Sequence, residues 1–268
     1  MNKETNADRL LEDLLLYGTF WAKKTDRLRL SDNGRTILSQ GTPIGVFVSE
    51  YDDRSDYYQD FLVLTMQDFK SQPTWKKHKK DLIKAAHHQR LRVIFVPAMD
   101  IGFGVPASLI STEFMRANDI CDLLIKVAGN SSEPDIKTSC CCIENGNMMA
   151  YTYNQYNKDD EIDHAEKILT DYMYVVHGPE CKRTFYTLLE PCYHCLEAML
   201  DIGGDDIVYG YPHKDKWNTA DYCELINDIC AGTRRTIFGN RLYYEKLSYD
   251  KIDKFYNKTK RSAKWLFI

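Results

Sequence analysis

No apolar run in these 268 residues reaches the ~18 to 20 positions of a membrane-spanning helix. The polar N-terminus does not read as a secretory signal, and a cytoplasmic location is the expectation. The nine cysteines, at 121, 140, 141, 142, 181, 192, 195, 223 and 230, are odd in number and unevenly spaced. That excludes a regular disulfide framework and fits a reducing compartment. Charge of one sign is scarce, with a formal net charge of −4. Lys and Arg number 16 against 14 Asp and Glu over residues 1–107, 12 against 23 over 108–245, and 7 against 2 over 246–268. A general polyanion-binding surface is therefore excluded, and the last segment alone is basic. A phosphate-binding loop is also missing, because no Gly-Lys-Ser/Thr follows Ile44-Gly45.

An apolar content of 44% can supply a sizeable core, and the length fits one catalytic domain with a smaller companion. Leu10, Leu14, Tyr17 and Trp21 recur at helical spacing over residues 8–22, after which Asp32-Asn33-Gly34 signals a turn. Ile44–Ser49 and Phe61–Met66 read as strands separated by the charged stretch Glu50–Asp60. Pro73-Thr74 starts a helix to about Arg90, and Leu91–Val96 forms another strand. Lys76, Lys77, Lys79, Lys80, Lys84, Arg90 and Arg92 read as a solvated face, with a phosphate grip as the alternative. His87 and His88 receive no metal role, since adjacent helical positions diverge by about 100°. The segment Met99–Pro106 is the candidate linker.

The chemistry concentrates in Asp163-His164-Ala165-Glu166 and Glu190-Pro191-Cys192-Tyr193-His194-Cys195. One imidazole and two thiols three residues apart leave the fourth place of a tetrahedral zinc open, the arrangement of catalytic sites. Glu166 is then free to handle protons. With eight prolines and nine cysteines in the chain, P-C-x-x-C is expected by chance only about 0.01 times. A closed structural knot would need a fourth ligand, which His194 inside the C-x-x-C is poorly placed to supply. A redox pair would leave His164 and Glu166 unexplained. The run Cys140–Cys142 reads as small buried strand residues, with a metal cluster as the alternative.

From Ser108 a regular layout follows. Ser111/Thr112 caps a helix carrying Phe114, Ile120, Leu123, Leu124 and Val127. Strands Lys137–Ile143 and Met148–Asn154 meet at Asn145-Gly146, a strong hairpin signal. A helix opens at His164, followed by strand Thr184–Leu189, a helix from Pro191-Cys192 and strand Asp206–Tyr211. The strand–helix–strand passage implies a parallel pair with a right-handed crossover.

The pattern H-x-E…P-C-x-x-C resembles the zinc-dependent nucleobase deaminases of the cytidine/deoxycytidylate deaminase superfamily. Met115-Arg116-Ala117, Tyr153-Asn154, His164-Ala165-Glu166, Thr187-Leu188-Leu189-Glu190-Pro191-Cys192 and Ile207-Val208-Tyr209-Gly210 occur in the family's order. They look most like the branch of tRNA adenosine, guanine, fungal-type cytosine and riboflavin-pathway deaminases, over roughly residues 111–245. The resemblance implies an α/β fold: a cytidine-deaminase-like three-layer α-β-α domain with a mixed sheet over 108–245. A small α/β accessory domain over 1–107 precedes it, and a basic aromatic tail over 246–268 follows. It implies Zn2+ on His164, Cys192 and Cys195, Glu166 as the catalytic proton carrier, and Asn154 and Ala165 in contact with substrate. Trp217 is a further substrate-contact candidate, able to stack on a base or to lie buried beside the pocket. Tyr193-His194 and Cys181-Lys182-Arg183 depart from the family pattern.

The expected activity is hydrolytic removal of the exocyclic amine of adenine or cytosine in a nucleotide or nucleic acid, tRNA or single strands included. Lys251, Lys254, Lys258, Lys260, Arg261 and Lys264 alternate with Phe255, Tyr256, Trp265 and Phe267, which suits a phosphate track with base stacking. A terminal helix docked on the core is the alternative for that tail. The acidic balance of 108–245 favours the second reading, a free nucleobase, nucleoside or small metabolite. A deaminase-like scaffold subunit is the third. Relatives imply a homodimer.

Overall fold

The computed structural model describes residues 6–17, 28–31, 34–66, 74–99, 106–107, 117–134, 136–179, 182–211 and 238–241. The chain divides into two compact units, residues 1–110 with 156–161, and residues 111–155 with 162–268.

In the first unit, helix α1 (Asn6–Tyr17) precedes strands β1 (Leu28–Leu30), β2 (Thr36–Ser39), β3 (Thr42–Asp52) and β4 (Tyr57–Thr65). Helix α2 (Thr74–His88), strand β5 (Arg92–Val96) and the short strands β6 (Ala98–Met99) and β7 (Pro106–Ala107) follow. Neighbours β1 to β4 pair antiparallel, and β4 pairs parallel with β5 across the α2 crossover. The β3–β4 ladder runs straight through the charged stretch expected to separate two strands, pairing Glu50 with Gln59 and Asp52 with Tyr57. Asp52 is the reason. Its buried carboxylate accepts from the backbone and guanidinium of Arg54 and from Gln59, so the turn neutralises its own charge. The basic row on α2 is only partly solvated. Lys76, Lys77, Lys80 and Lys84 are exposed, whereas Lys79 is buried and donates to the carbonyl of Thr65 at 2.6 Å. The two ends of the expected linker are held together, Met99 pairing with Pro106.

The second unit builds α3 (Ala117–Ala128), β8 (Ser139–Glu144) and β9 (Asn147–Tyr153). The short strands β10 (Gln155–Tyr156) and β11 (Ile162–Asp163) come next in the chain, the former shared by the two units. Then come α4 (Ala165–His177), β12 (Arg183–Leu189), α5 (Tyr193–Asp201), β13 (Gly204–Tyr211) and β14 (Phe238–Arg241). Its sheet runs β9-β8-β12-β13-β14. The first two junctions are antiparallel and the last two parallel, which makes it mixed. At the β8–β9 hairpin Asn145 and Gly146 both take positive φ, 50° and 74°, the left-handed pair that a tight turn of this hand requires.

Side-chain alternation sorts the layers. Ser139 hydroxyl donates to the Leu124 carbonyl of α3. The next residue, Cys140, must point to the opposite face, where it senses the charge of Glu166 on α4. Helices α3 and α4 therefore cover opposite faces, and α5 packs against α4. This is the α-β-α sandwich expected from the pattern. Cys140, Cys141 and Cys142 are all fully buried between the layers, and burial holds their thiols in the neutral form.

Arg183, within the departure from the family pattern, is a structural tie. Its side chain is wholly buried at the entry to β12. Nε donates to Glu144 at 3.0 Å, Nη1 to the Ile202 carbonyl at 2.6 Å and Nη2 to the Gly178 carbonyl at 2.7 Å. One guanidinium thus joins the ends of β8, α4 and α5. The β12–β13 crossover is tight as well. A Cβ at Gly204 would lie 2.6 Å from the Met199 carbonyl oxygen, so the turn out of α5 needs glycine.

Candidate metal centre

Two chain reversals onto helix starts bring the chemistry together. His164 is the N-cap of α4 and Cys192 the N-cap of α5, both in extended backbone. Their carbonyls accept the first helical bonds, from Ile168 and Leu196. Cys195 follows one turn into α5, so positions 192 and 195 share a helix face. His164 Nδ1 lies 3.6 Å from Cys192 Sγ and 3.3 Å from Cys195 Sγ, and all three ligand atoms fall within 4.8 Å of one another.

Those separations can be tested against a metal. With Zn–N of about 2.0 Å and Zn–S of about 2.3 Å, a tetrahedral ion sets N···S near 3.5 Å and S···S near 3.8 Å. The donor set and its spacing fit zinc. Among the described residues the group comprises these three side chains, the protein-ligand count of catalytic zinc sites. The helix starts add a favourable field, because the N-terminal dipole end stabilises thiolate.

Proton positions in the metal-free group follow from the contacts. The Cys195 thiol and His164 hold Cys192 down to about 3, a thiolate at neutral pH. The same Cys192 contact raises His164 to about 9. Cys195, paired with that thiolate and largely buried, keeps its proton.

Glu166 occupies the second position of α4, two residues beyond His164, and is only 3% exposed. Burial raises its carboxyl above the usual range, against the opposing pull of His164 and Thr187. Thr187 Oγ1 donates to Glu166 Oε1 at 2.6 Å. Sequence reasoning missed this bond. Strand alternation was the available signal, since Thr187 lies level with Cys140 across the β8–β12 ladder on the α4 face.

The other candidates fall out differently. Ala165 is fully buried as the first residue of α4. Asn154 is buried beyond the end of β9, its Oδ1 accepting from Thr138 N–H and its Nδ2 donating to the Ile136 carbonyl. A substrate at Asn154 would have to use the second amide proton or lone pair. Tyr193 and His194 are exposed, and His194 faces Glu197 at 3.9 Å. Trp217, Met115-Arg116, the Ser111/Thr112 cap with Phe114, Cys181 and the tail over 246–268 lie outside the described residues.

Residues 115–211 match the family model for the cytidine and deoxycytidylate deaminase zinc-binding region. That span contains His164, Glu166, Cys192 and Cys195. The match covers about a third of the chain and is to that zinc-binding region. Solved structures similar to this chain include a cyanophage S-TIM5 dCMP deaminase, 14% identical, covering 48% of this chain and 100% of its own, with a TM-score of 0.37. A guanine deaminase from Nitrosomonas europaea is 12% identical and covers 55% and 85%, with a TM-score of 0.39. A tRNA:A34 deaminase acting at the wobble position is 16% identical and covers 50% and 96%, with a TM-score of 0.37. No curated protein sequence matches the chain. The zinc named in that family's description suits the donor set of His164, Cys192 and Cys195. No helix among the described residues is long and apolar enough to cross a membrane.

Proposed function

We propose that the chain is a zinc-dependent hydrolytic deaminase of a nucleobase held in a nucleotide or nucleic acid. The observation that carries the reading is a buried carboxylate, Glu166, two residues from one member of a three-ligand metal group and not itself a member. In this reading His164, Cys192 and Cys195 hold zinc, whose Lewis acidity makes water reactive at neutral pH. Glu166 accepts a proton from the attacking water and delivers it to the ring nitrogen beside the amine-bearing carbon. As the hydroxyl on that carbon becomes a carbonyl, Glu166 takes up the hydroxyl's proton and passes it to the amine, whose bond to carbon breaks as ammonia departs. The net change is amine plus water to carbonyl plus ammonia. Burial serves this cycle, because it raises the carboxyl above its usual range and so favours picking up the proton.

Asn154, Ala165 and Trp217 are proposed to contact the base, and the basic tail to follow phosphates. We assign the accessory part to 1–107, the catalytic part to 108–245 and the tail to 246–268, in a cytoplasmic homodimer. The 23 acidic against 12 basic residues over 108–245 favour a second reading, in which the substrate is a free base, nucleoside or small metabolite.

The test is ammonia release and zinc content across free bases, nucleosides, mononucleotides, single-stranded DNA and tRNA. Wild type should release ammonia from at least one of them with one zinc per chain. Glu166→Ala should keep the zinc and lose several orders of magnitude in turnover. Comparable turnover by that variant ends the assignment, and a zinc-loaded wild type silent on every substrate favours a scaffold role.

A further inference from the structure

Glu166 has three rotatable side-chain bonds and two equivalent oxygens, yet the proposed cycle needs it aimed one way. Among the described residues, the Thr187 hydroxyl is the side-chain donor recorded to its carboxylate. The bond is short, at 2.6 Å, and Thr187 is fully buried. Thr187 sits on β12, five residues before Cys192, while Glu166 sits two residues after His164. The contact therefore ties together the two chain segments that deliver the metal ligands. Across the ladder its neighbours are Cys140 on β8 and Tyr209 on β13. Cys140 is engaged with its own strand, Sγ directed at the Cys141 carbonyl.

We infer that Thr187 is a positioning residue for the proton-carrying carboxylate: its hydroxyl holds Oε1, which leaves Oε2 to take and return the proton. The inference rests on Glu166 having the role proposed above. A threonine suits the task better than a serine. Its β-branch restricts χ1 and presents the hydroxyl in few orientations, so the acceptor is held as well as satisfied. Its bond leaves the proton-carrying oxygen alone, because a hydroxyl donating to Oε1 does so whether or not Oε2 carries hydrogen. With a residue that merely fills the sheet face, the carboxylate would keep only the local bond from its own backbone N–H, which Thr187 supplements from a second chain segment.

The test uses the zinc-loaded full chain with Thr187→Val, which keeps the shape and removes the hydroxyl, and Thr187→Ser, which keeps the hydroxyl without the branch. On whichever substrate the wild type deaminates, the valine variant should lose about 10- to 100-fold in kcat, the range set by one hydrogen bond to a charged group. KM should stay within about twofold, zinc content should stay at the wild-type level, and serine should recover most of the rate. Crystals of the valine variant should show the Glu166 carboxylate displaced or split between two rotamers, with the serine variant resembling wild type. Wild-type kcat together with an unmoved carboxylate in the valine variant overturns the inference. If wild type itself turns over nothing, the functional reading fails, while the crystallographic comparison still decides whether Thr187 aims Glu166. Should the valine variant not fold, Thr187→Ala is read in the same two ways.

Discussion

Zinc uptake by the metal-free chain should release close to two protons from its three ligand side chains, and that contribution should barely change between pH 6 and 8. In the metal-free group His164 is raised to about 9 by Cys192, and Cys192 is pulled down to about 3 by Cys195 and His164. Cys195 holds its proton well above neutrality. Between those limits the three side chains carry one proton on His164, none on Cys192 and one on Cys195. Zinc requires a neutral imidazole and two thiolates, so both protons must leave. The sign is fixed by this count. A raised pH favours loading, and these three side chains alone should make affinity climb about a hundredfold per pH unit in the window. Above pH 9, where His164 has already lost its proton, the gain should slacken to about tenfold per unit.

Independent groups behave otherwise. An ordinary histidine near 6.5 and two ordinary thiols near 8.5 would release about 2.8 protons at pH 6 and about 1.5 at pH 8. Calorimetric titration of zinc in buffers of different ionisation enthalpy measures the released protons directly. A zinc-bound water that ionises near neutrality adds up to about one proton of its own toward pH 8, so a value near two at pH 6 that holds or rises supports the contact geometry of the site. A value near three at pH 6 that falls across the window refutes it, because the thiolate–imidazolium pairing of Cys192 and His164 would then be absent.

Two further outcomes follow from the geometry. Arg183→Met should lower the unfolding free energy of the metal-free protein by about 3 to 5 kcal/mol, since it strands a partly buried Glu144 carboxylate and two carbonyls. Urea denaturation measures it, and a loss below about 1 kcal/mol would contradict a tying role. If the substrate is a polyanion met by the basic tail, KM should rise steeply with salt while kcat holds. A KM indifferent to salt would favour the neutral small-molecule reading.

The motif-bearing half of the chain was legible because its signals are local. Asn145-Gly146 dictates a turn by its backbone freedom, and P-C-x-x-C places two thiols on one helix face. The charged hairpin is illegible in the sequence for the opposite reason. Asp52, Arg54 and Gln59 neutralise one another only once the strands pair, a contact that composition along the chain does not register. Residue type alone assigns Lys79 to solvent, yet its ammonium donates to a strand-end carbonyl on β4 while the stem is buried. Thr187 and Arg183 escaped notice likewise. Their partners, Glu166 and Glu144, lie 21 and 39 residues away, and only the folded sheet brings them within reach.

The ligand positions break a local rule, and the exception has a physical meaning. Helix N-caps favour Ser, Thr, Asp or Asn, whose side-chain oxygens satisfy the first free N–H groups. Here the caps are His164 and Cys192, and neither closes a side-chain capping bond. Each helix thereby forgoes roughly 1 kcal/mol of capping. In exchange, a ring nitrogen and a sulfur stand where capping oxygens would, at the positive ends of two helices. A bound zinc, worth on the order of 10 kcal/mol at such donor sets, offsets both losses many times over. The metal-free chain should therefore be frayed first at the starts of α4 and α5, the two places where fold and chemistry compete for the same residues.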